Sequence, residues 1–237
     1  MESALRISVP ARPIGRVLWS TAALLIGLGL FTEVAAYVYD TPVLTRLDLF
    51  FNLAYESNVP TWFSFALLFL SALLLFAIFR GVRDRSEPLG LYWLGLSIAF
   101  FYISCDEAIV IHEGLNDPLR ESLGTGGVLY YPWVLPVGIA VAAIGLAYLR
   151  FLRALPSPFG RRFMVAGSVY VTGALLLEFP TAAWYERYGE DLGSGLWAWL
   201  SESFEIAGLC LFFLALLAYV GEVRVVDARS ASASASA

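Results

Sequence analysis

The chain reads as an all-α membrane protein built on six transmembrane helices, and three observations predict it. Hydrophobic residues make up 59% of the 237 positions and charged residues only 15%, with a mean hydropathy of +0.73; a soluble domain holds roughly 45–50% apolar and 25% charged residues. The apolar residues fall into six long runs, about 16–38, 61–80, 89–111, 131–152, 162–184 and 196–220. Each has about the 20 residues that cover ~30 Å of hydrocarbon at 1.5 Å per residue. Finally, all fifteen basic side chains are arginine and they cluster at alternate ends of these runs.

Taken in order, the first run follows Arg6, Arg12 and Arg16, with Pro13 and Gly15 at its start. It is too long for the apolar segment of a signal peptide and has no clear cleavage site. The second run opens at Trp62 and ends in Arg80, Arg83 and Arg85. Pro88 and Gly90 introduce the third, and Trp133 opens the fourth, which ends in Arg150 and Arg153. Pro158, Gly160, Arg161 and Arg162 precede the fifth; Trp197 and Trp199 open the sixth, which Arg224 and Arg229 follow. Only Arg46, Arg120 and Arg187 lie on the opposite side, so the positive-inside rule predicts both termini in the cytoplasm of a multi-pass (bacterial inner-membrane) protein. Tryptophans at both ends of the runs, Trp19 and Trp93 inside and Trp62, Trp133, Trp184, Trp197 and Trp199 outside, match an interfacial belt. Residues 1–228 form one domain in this reading, and the Ser-Ala tail 229–237 is expected to be disordered.

A repeat of about 70 residues underlies the runs. Arg80 and Arg150, Arg83 and Arg153, Pro88 and Pro158, and Gly90 and Gly160 are each 70 apart. An acid recurs towards the far end of each odd-numbered run: Glu33, then Asp106 and Glu107, then Glu178. A second acid follows each, at Asp40, Glu113 and Glu186. Tandem hairpins carry an even number of spans, so the three would be parallel repeats about an axis along the membrane normal.

The acids are the candidate site. A charge within a bilayer costs at least a few kcal/mol and marks function by default. Counting along each helix brings Asp106, Glu107, His112, Glu178, Glu202 and Glu205 to one depth, in the third of the membrane away from the arginines. Glu33, Glu56 and Glu113 are additional candidates at that level. Helical spacing places Asp106 and Glu113 on one face of the third helix, and Glu202 and Glu205 on one face of the sixth. Pro180, two residues after Glu178, predicts a kink. No Lys or Arg shares this depth, so the acids need bound cations, shared protons or water. Carboxylates with one imidazole suit a divalent metal, Mn, Fe, Zn, Mg or Ca. The single histidine excludes the paired Glu-x-x-His pattern of bundle di-iron proteins. Cys105 and Cys210 fall at different depths, which excludes a disulfide framework.

YESNVPTWFS (55–64), DEAIVIHE (106–113) and SESFE (201–205) together resemble a family of uncharacterised multi-pass bacterial membrane proteins. The resemblance implies the architecture and no activity. Three function classes stay open. One is a metal-dependent enzyme acting on a lipid or other hydrophobic small molecule. The second is a proton- or cation-coupled transporter, and the third an accessory subunit of a membrane complex whose acids are structural. The lipid bilayer is the expected partner; the net charge of −5 gives no support for a nucleic-acid one.

Overall fold

A computed structural model describes the backbone of residues 11–39, 41–83 and 89–235, so Arg6, Asp40, Arg85 and Pro88 lie outside the described residues. Among the described residues there is no strand. The helices are α1 (Ala11–Tyr39), α2 (Pro42–Phe51), α3 (Val59–Arg83), α4 (Gly90–Ile109), α5 (Asn116–Leu123), α6 (Val134–Ala154), α7 (Phe159–Val171), α8 (Glu178–Tyr188) and α9 (Leu192–Ala235). A π-helical segment, Thr172–Leu177, joins α7 to α8.

Five stretches are long and apolar enough to cross a membrane: Arg12–Tyr39, Val59–Arg83, Val134–Ala154, Phe159–Tyr188 and Leu192–Gly221. A sixth exists if α4 and the segment Glu113–Leu123, bent by 75°, count as one. The expected third span, 89–111, therefore stops early. Asp106 and Glu107 dilute its apolar run, and Val110 adopts a left-handed φ of 58° that ends the helix. A β-branched residue in that region is a genuine outlier, and such strain concentrates at functional sites.

Other expectations also change. The kink predicted at Pro180 is a π-helical segment just upstream: proline at 180 cannot donate to the carbonyl four residues back, and a wider turn accommodates the loss. Between the first two runs, Pro42–Phe51 fold as a short helix that Thr41 caps and Pro42 starts. The backbone helix of α9 runs from Leu192 to Ala235. The tryptophan belt is only partial. Trp93 and Trp133 are buried in the core, whereas Trp62 is 72% exposed. Trp199 donates its indole N–H inward to the Ile26 carbonyl, whereas Trp184 donates to the Asp191 carboxylate just before α9.

α9 is the central post, packing against α1, α3, α7, the π-segment and α8, while α4 packs along α3 and α6 leans on α7. In lipid, helices associate by close packing rather than by hydrophobic burial, so small residues matter at the crossings. A Cβ on Gly173 would lie 2.5 Å from the Ser201 carbonyl, and one on Gly208 2.6 Å from the Tyr170 amide nitrogen. Both glycines let α7 and the π-helical segment touch the α9 backbone, and the Ser201 hydroxyl donates to the Gly173 carbonyl at 2.9 Å. Ser97 ties α4 to α3 in the same way, donating to the Ala72 carbonyl at 2.9 Å.

Near the Arg-rich ends the interior is sealed by aromatic rings. Trp93 meets Phe151 edge-on at 4.9 Å, Phe163 lies 5.2 Å from Phe212, and Tyr219 packs on Trp93 and Phe159. Towards the opposite ends the packing opens, and the acids sit there.

Candidate carboxylate and histidine site

A cavity of about 280 Å³ lies between α4, α6, the α7–α8 stretch and α9, roofed by the segments 53–61 and 112–133. Its wall carries Glu56, Asp106, Glu107, His112, Glu113, Glu178, Glu202 and Glu205. Eight of the nine acids and histidines singled out in the sequence therefore converge. No Lys or Arg lines the cavity among the described residues.

Glu33 is the exception. Its carboxylate accepts from the Asn52 side-chain amide, which also donates to Asp48 at 3.0 Å. A Cβ on Gly195 would run into that carboxylate, so the group is wedged between α1, α2 and the start of α9. The repeated acid thus does not bring all three hairpins to one centre.

The break after α4 builds the rest. Because Val110 turns the chain back, His112 folds over the end of the helix. Its backbone N–H donates to Asp106 Oδ1 at 2.8 Å, and its ring Nδ1 lies 2.7 Å from Asp106 Oδ2. Asp106 and Glu113 consequently do not share a helix face, as their spacing of seven had predicted. Both Asp106 oxygens are engaged by His112, so this carboxylate orients the imidazole. With Nδ1 turned to the carboxylate, Nε2 keeps the free lone pair; this carboxylate–histidine pairing is the usual support of a metal-binding imidazole. Trp133 packs on the imidazole with ring centres 4.5 Å apart.

One donor atom each from Glu56, His112 and Glu113 lies within 4.8 Å of the other two. Donors on a common cation at ~2.0–2.6 Å stand at most about 4–5 Å apart, so the three are spaced to share one. Glu56 is held by the loop that Asn58 orders: the Asn58 amide donates to the Asn52 carbonyl at 2.6 Å and its Oδ1 accepts from the Thr61 N–H at 3.1 Å. Burial, reinforced by Glu113 and Asp106 and opposed by His112, pushes the Glu56 carboxyl up to about 7. Burial, with Glu178 nearby, also raises the Tyr131 phenol above its ordinary value, so it remains a hydrogen-bond donor at the roof.

Glu107, Glu178, Glu202 and Glu205 lie deeper, on α4, α8 and α9, and Glu205 is hydrogen-bonded to the half-buried Tyr170. Asn116 is a site residue that sequence reasoning missed. It lines the cavity and its buried Oδ1 has no hydrogen-bond partner. Its signal was the position three residues after Glu113, on the same helical turn. Tyr131, Trp133 and Tyr170 were missed because an aromatic in an apolar run carries no sequence mark of the cavity it lines.

A family model described as a domain of unknown function, DUF8692, matches residues 17–220. The chain belongs to the DUF8692 family. That match spans every residue lining the cavity, from Leu53 to Glu205. No curated protein and no solved structure matches the chain significantly. The DUF8692 match agrees with the uncharacterised family expected from the motifs and adds no activity to it.

Proposed function

We propose that this DUF8692 protein binds a divalent metal at Glu56, His112 and Glu113, and that it is a metal-dependent enzyme acting on a lipid or other hydrophobic small molecule. The observation that carries the reading is a cluster of three donors, the one such group among the described residues, with Asp106 fixing the one imidazole behind it. Two carboxylates and one nitrogen suit Mn, Fe or Zn better than an all-oxygen site would. When bound, the metal would polarise a substrate oxygen or activate water. The deeper carboxylates then have a role as proton acceptors within reach of that water, with Glu107 and Glu178 the first candidates.

The arginine distribution supports an orientation with both termini cytoplasmic, which puts the cavity in the extracytoplasmic half of the membrane. Transport is the weaker reading. The aromatic seal of Trp93, Phe151, Phe163, Phe212 and Tyr219 stands where a continuous polar path would have to run. An accessory role with structural acids competes too, but leaves the 4.8 Å spacing of three donors without a purpose.

The test is metal analysis of protein purified without chelator, followed by titration of Mn, Fe and Zn into stripped protein. Wild type should take up about one equivalent and melt at a higher temperature; His112→Ala and Glu113→Gln should lose both effects. A preparation that binds no metal, and whose melting ignores metal and chelator alike, sinks the proposal.

A further inference from the structure

Charge is segregated along the bundle. The cavity at one end is lined by acids and by no Lys or Arg among the described residues; two grooves at the other end are lined by arginines and by no acid. One groove, of about 370 Å³, lies between α7 and α9 and is lined by Arg161, Arg162, Val165, Leu211, Leu214 and Ala215. The other, of about 730 Å³, lies between α1 and α9, where Arg12, Gly15, Arg16, Trp19 and Ser20 meet the same Leu214. Val165 follows Arg161 and Arg162 by one turn, and Trp19 follows Arg16 by one turn. Each groove therefore grades from guanidinium to apolar wall along the helix axis.

These arginines lack local compensation. Among the described residues the ion pairs are His112–Asp106 and Arg120–Asp117, both at the acidic end, and none of Arg12, Arg16, Arg161 and Arg162 has a carboxylate partner. Arg12 and Arg16 are like charges at i, i+4 on α1, a spacing at which they repel. Arg161 and Arg162 sit in the first turn of α7, which carries no acid, so the positive end of the helix dipole adds to their charge. The Arg162 guanidinium stacks on the Phe159 ring at 5.5 Å, which holds its plane and leaves its edge N–H groups available to donate. Each of these features is unfavourable alone, and an anion relieves all of them.

We infer that each groove holds an anionic phospholipid. Its phosphate accepts from the arginine pair, and an acyl chain runs along Val165, Leu211 and Leu214 in one groove and along Trp19 and Leu214 in the other. A free phosphate would satisfy the guanidinium groups but leave the apolar walls uncovered. A zwitterionic head brings its own ammonium against unpaired arginines, whereas an anionic one does not; basic pockets between helices on the cytoplasmic side suit such heads. In the proposed orientation both grooves open on the inner leaflet. The bound lipids would hold α1 and α7 against α9, and nothing in this depends on metal at the opposite end.

The experiment titrates the full chain, in a neutral detergent, with dioleoyl phosphatidylglycerol, dioleoyl phosphatidylcholine or inorganic phosphate. Native mass spectrometry reads the lipid retained, and thermal unfolding reads the stabilisation. Phosphatidylglycerol should bind saturably, one per groove, and raise the melting temperature by preferential binding to the folded state; phosphatidylcholine and phosphate at equal concentration should do neither. The double substitutions Arg161→Gln/Arg162→Gln and Arg12→Gln/Arg16→Gln should each weaken one site about 30-fold, at roughly fivefold per arginine. Arg150→Gln/Arg153→Gln removes the same charge from the same end but outside both grooves, and should keep both lipids. All six arginines are exposed, so none of these changes touches the core. Equal lipid loss in the Arg150/Arg153 variant would mean diffuse attraction to a basic surface and overturns the inference. So does equal binding of phosphatidylcholine, unsaturable binding of phosphatidylglycerol, or stabilisation reproduced by phosphate alone.

Discussion

Replacing Asp106 with Asn tests the core of the metal proposal without changing the size of a side chain. Asp106 accepts two hydrogen bonds from one residue, the His112 backbone N–H at 2.8 Å and the ring Nδ1 at 2.7 Å. An Asn side chain has one acceptor and one donor, so it can satisfy only one of them. If its amide faces the ring, Nδ1 must give up its proton, Nε2 becomes protonated, and the lone pair needed for a metal disappears. If its amide faces the backbone instead, two N–H groups confront each other and the His112 turn is destabilised. Loss of one charge-assisted bond costs about 1.5–3 kcal/mol. Loss of an orienting partner of a metal-bound histidine typically weakens metal binding about 10–100-fold, equivalent to about 1.4–2.8 kcal/mol. Calorimetric titration of Mn or Zn into stripped wild type and Asp106→Asn should show that drop, with Asp106→Glu retaining more affinity. Affinity within threefold of wild type for Asp106→Asn would refute the argument that Asp106 sets the histidine for a ligand.

Other substitutions separate the cavity from its surroundings. Glu33→Gln should leave metal affinity unchanged, because Glu33 lies against Asn52 and Gly195 outside the cavity; a tenfold loss would show that the two acid groups are coupled. Gly173→Ala should destabilise by roughly 1–3 kcal/mol through overpacking against the Ser201 carbonyl and Glu205. Gly81→Ala, where nothing lies within 4 Å, should be near neutral in the same thermal unfolding measurement. The pH dependence has a definite sign. Glu56 is raised from 4.5 to about 7 by burial, so the folded state holds its proton more tightly than the unfolded chain. Its contribution to the stability of metal-free protein is full below pH 4.5 and is lost as pH rises to about 7; Glu56→Gln should flatten that decline. Metal must displace the same proton, so affinity should rise between pH 6 and 8, and an affinity that falls over this range would contradict the assignment of Glu56.

Much of the fold was legible along the chain, because membrane spans announce themselves by apolar length: five runs coincide with α1, α3, α6, α7–α8 and α9, and the third with α4, which qualifies as a span only together with the bent segment after it. The site acids were legible for the same reason: a carboxylate in an apolar run is conspicuous whatever surrounds it, and depth follows from 1.5 Å per residue. What counting could not supply was the arrangement around them. The spacing of seven between Asp106 and Glu113 assumes an uninterrupted helix, and Val110 breaks it with one left-handed residue that no periodicity marks. Glu33 shares the depth of the other acids but faces α2, a helix hidden in what reads as a linker.

The sequence by itself determined that this protein is helical, suited to a membrane, and laden with acids at one level, since each of these depends on composition and distance along a single helix. Tertiary structure alone decided which of those acids meet. Only the folded chain brings Asp106 onto the His112 imidazole, seats Trp133 on the same ring, and brings Glu56 within 4.8 Å of Glu113 in one cavity. The physical reason is that a ligand set is defined by distances between helices, and these are set by small-residue crossings such as Gly173 of the π-helical segment and Gly208 of α9, which no count along one helix contains.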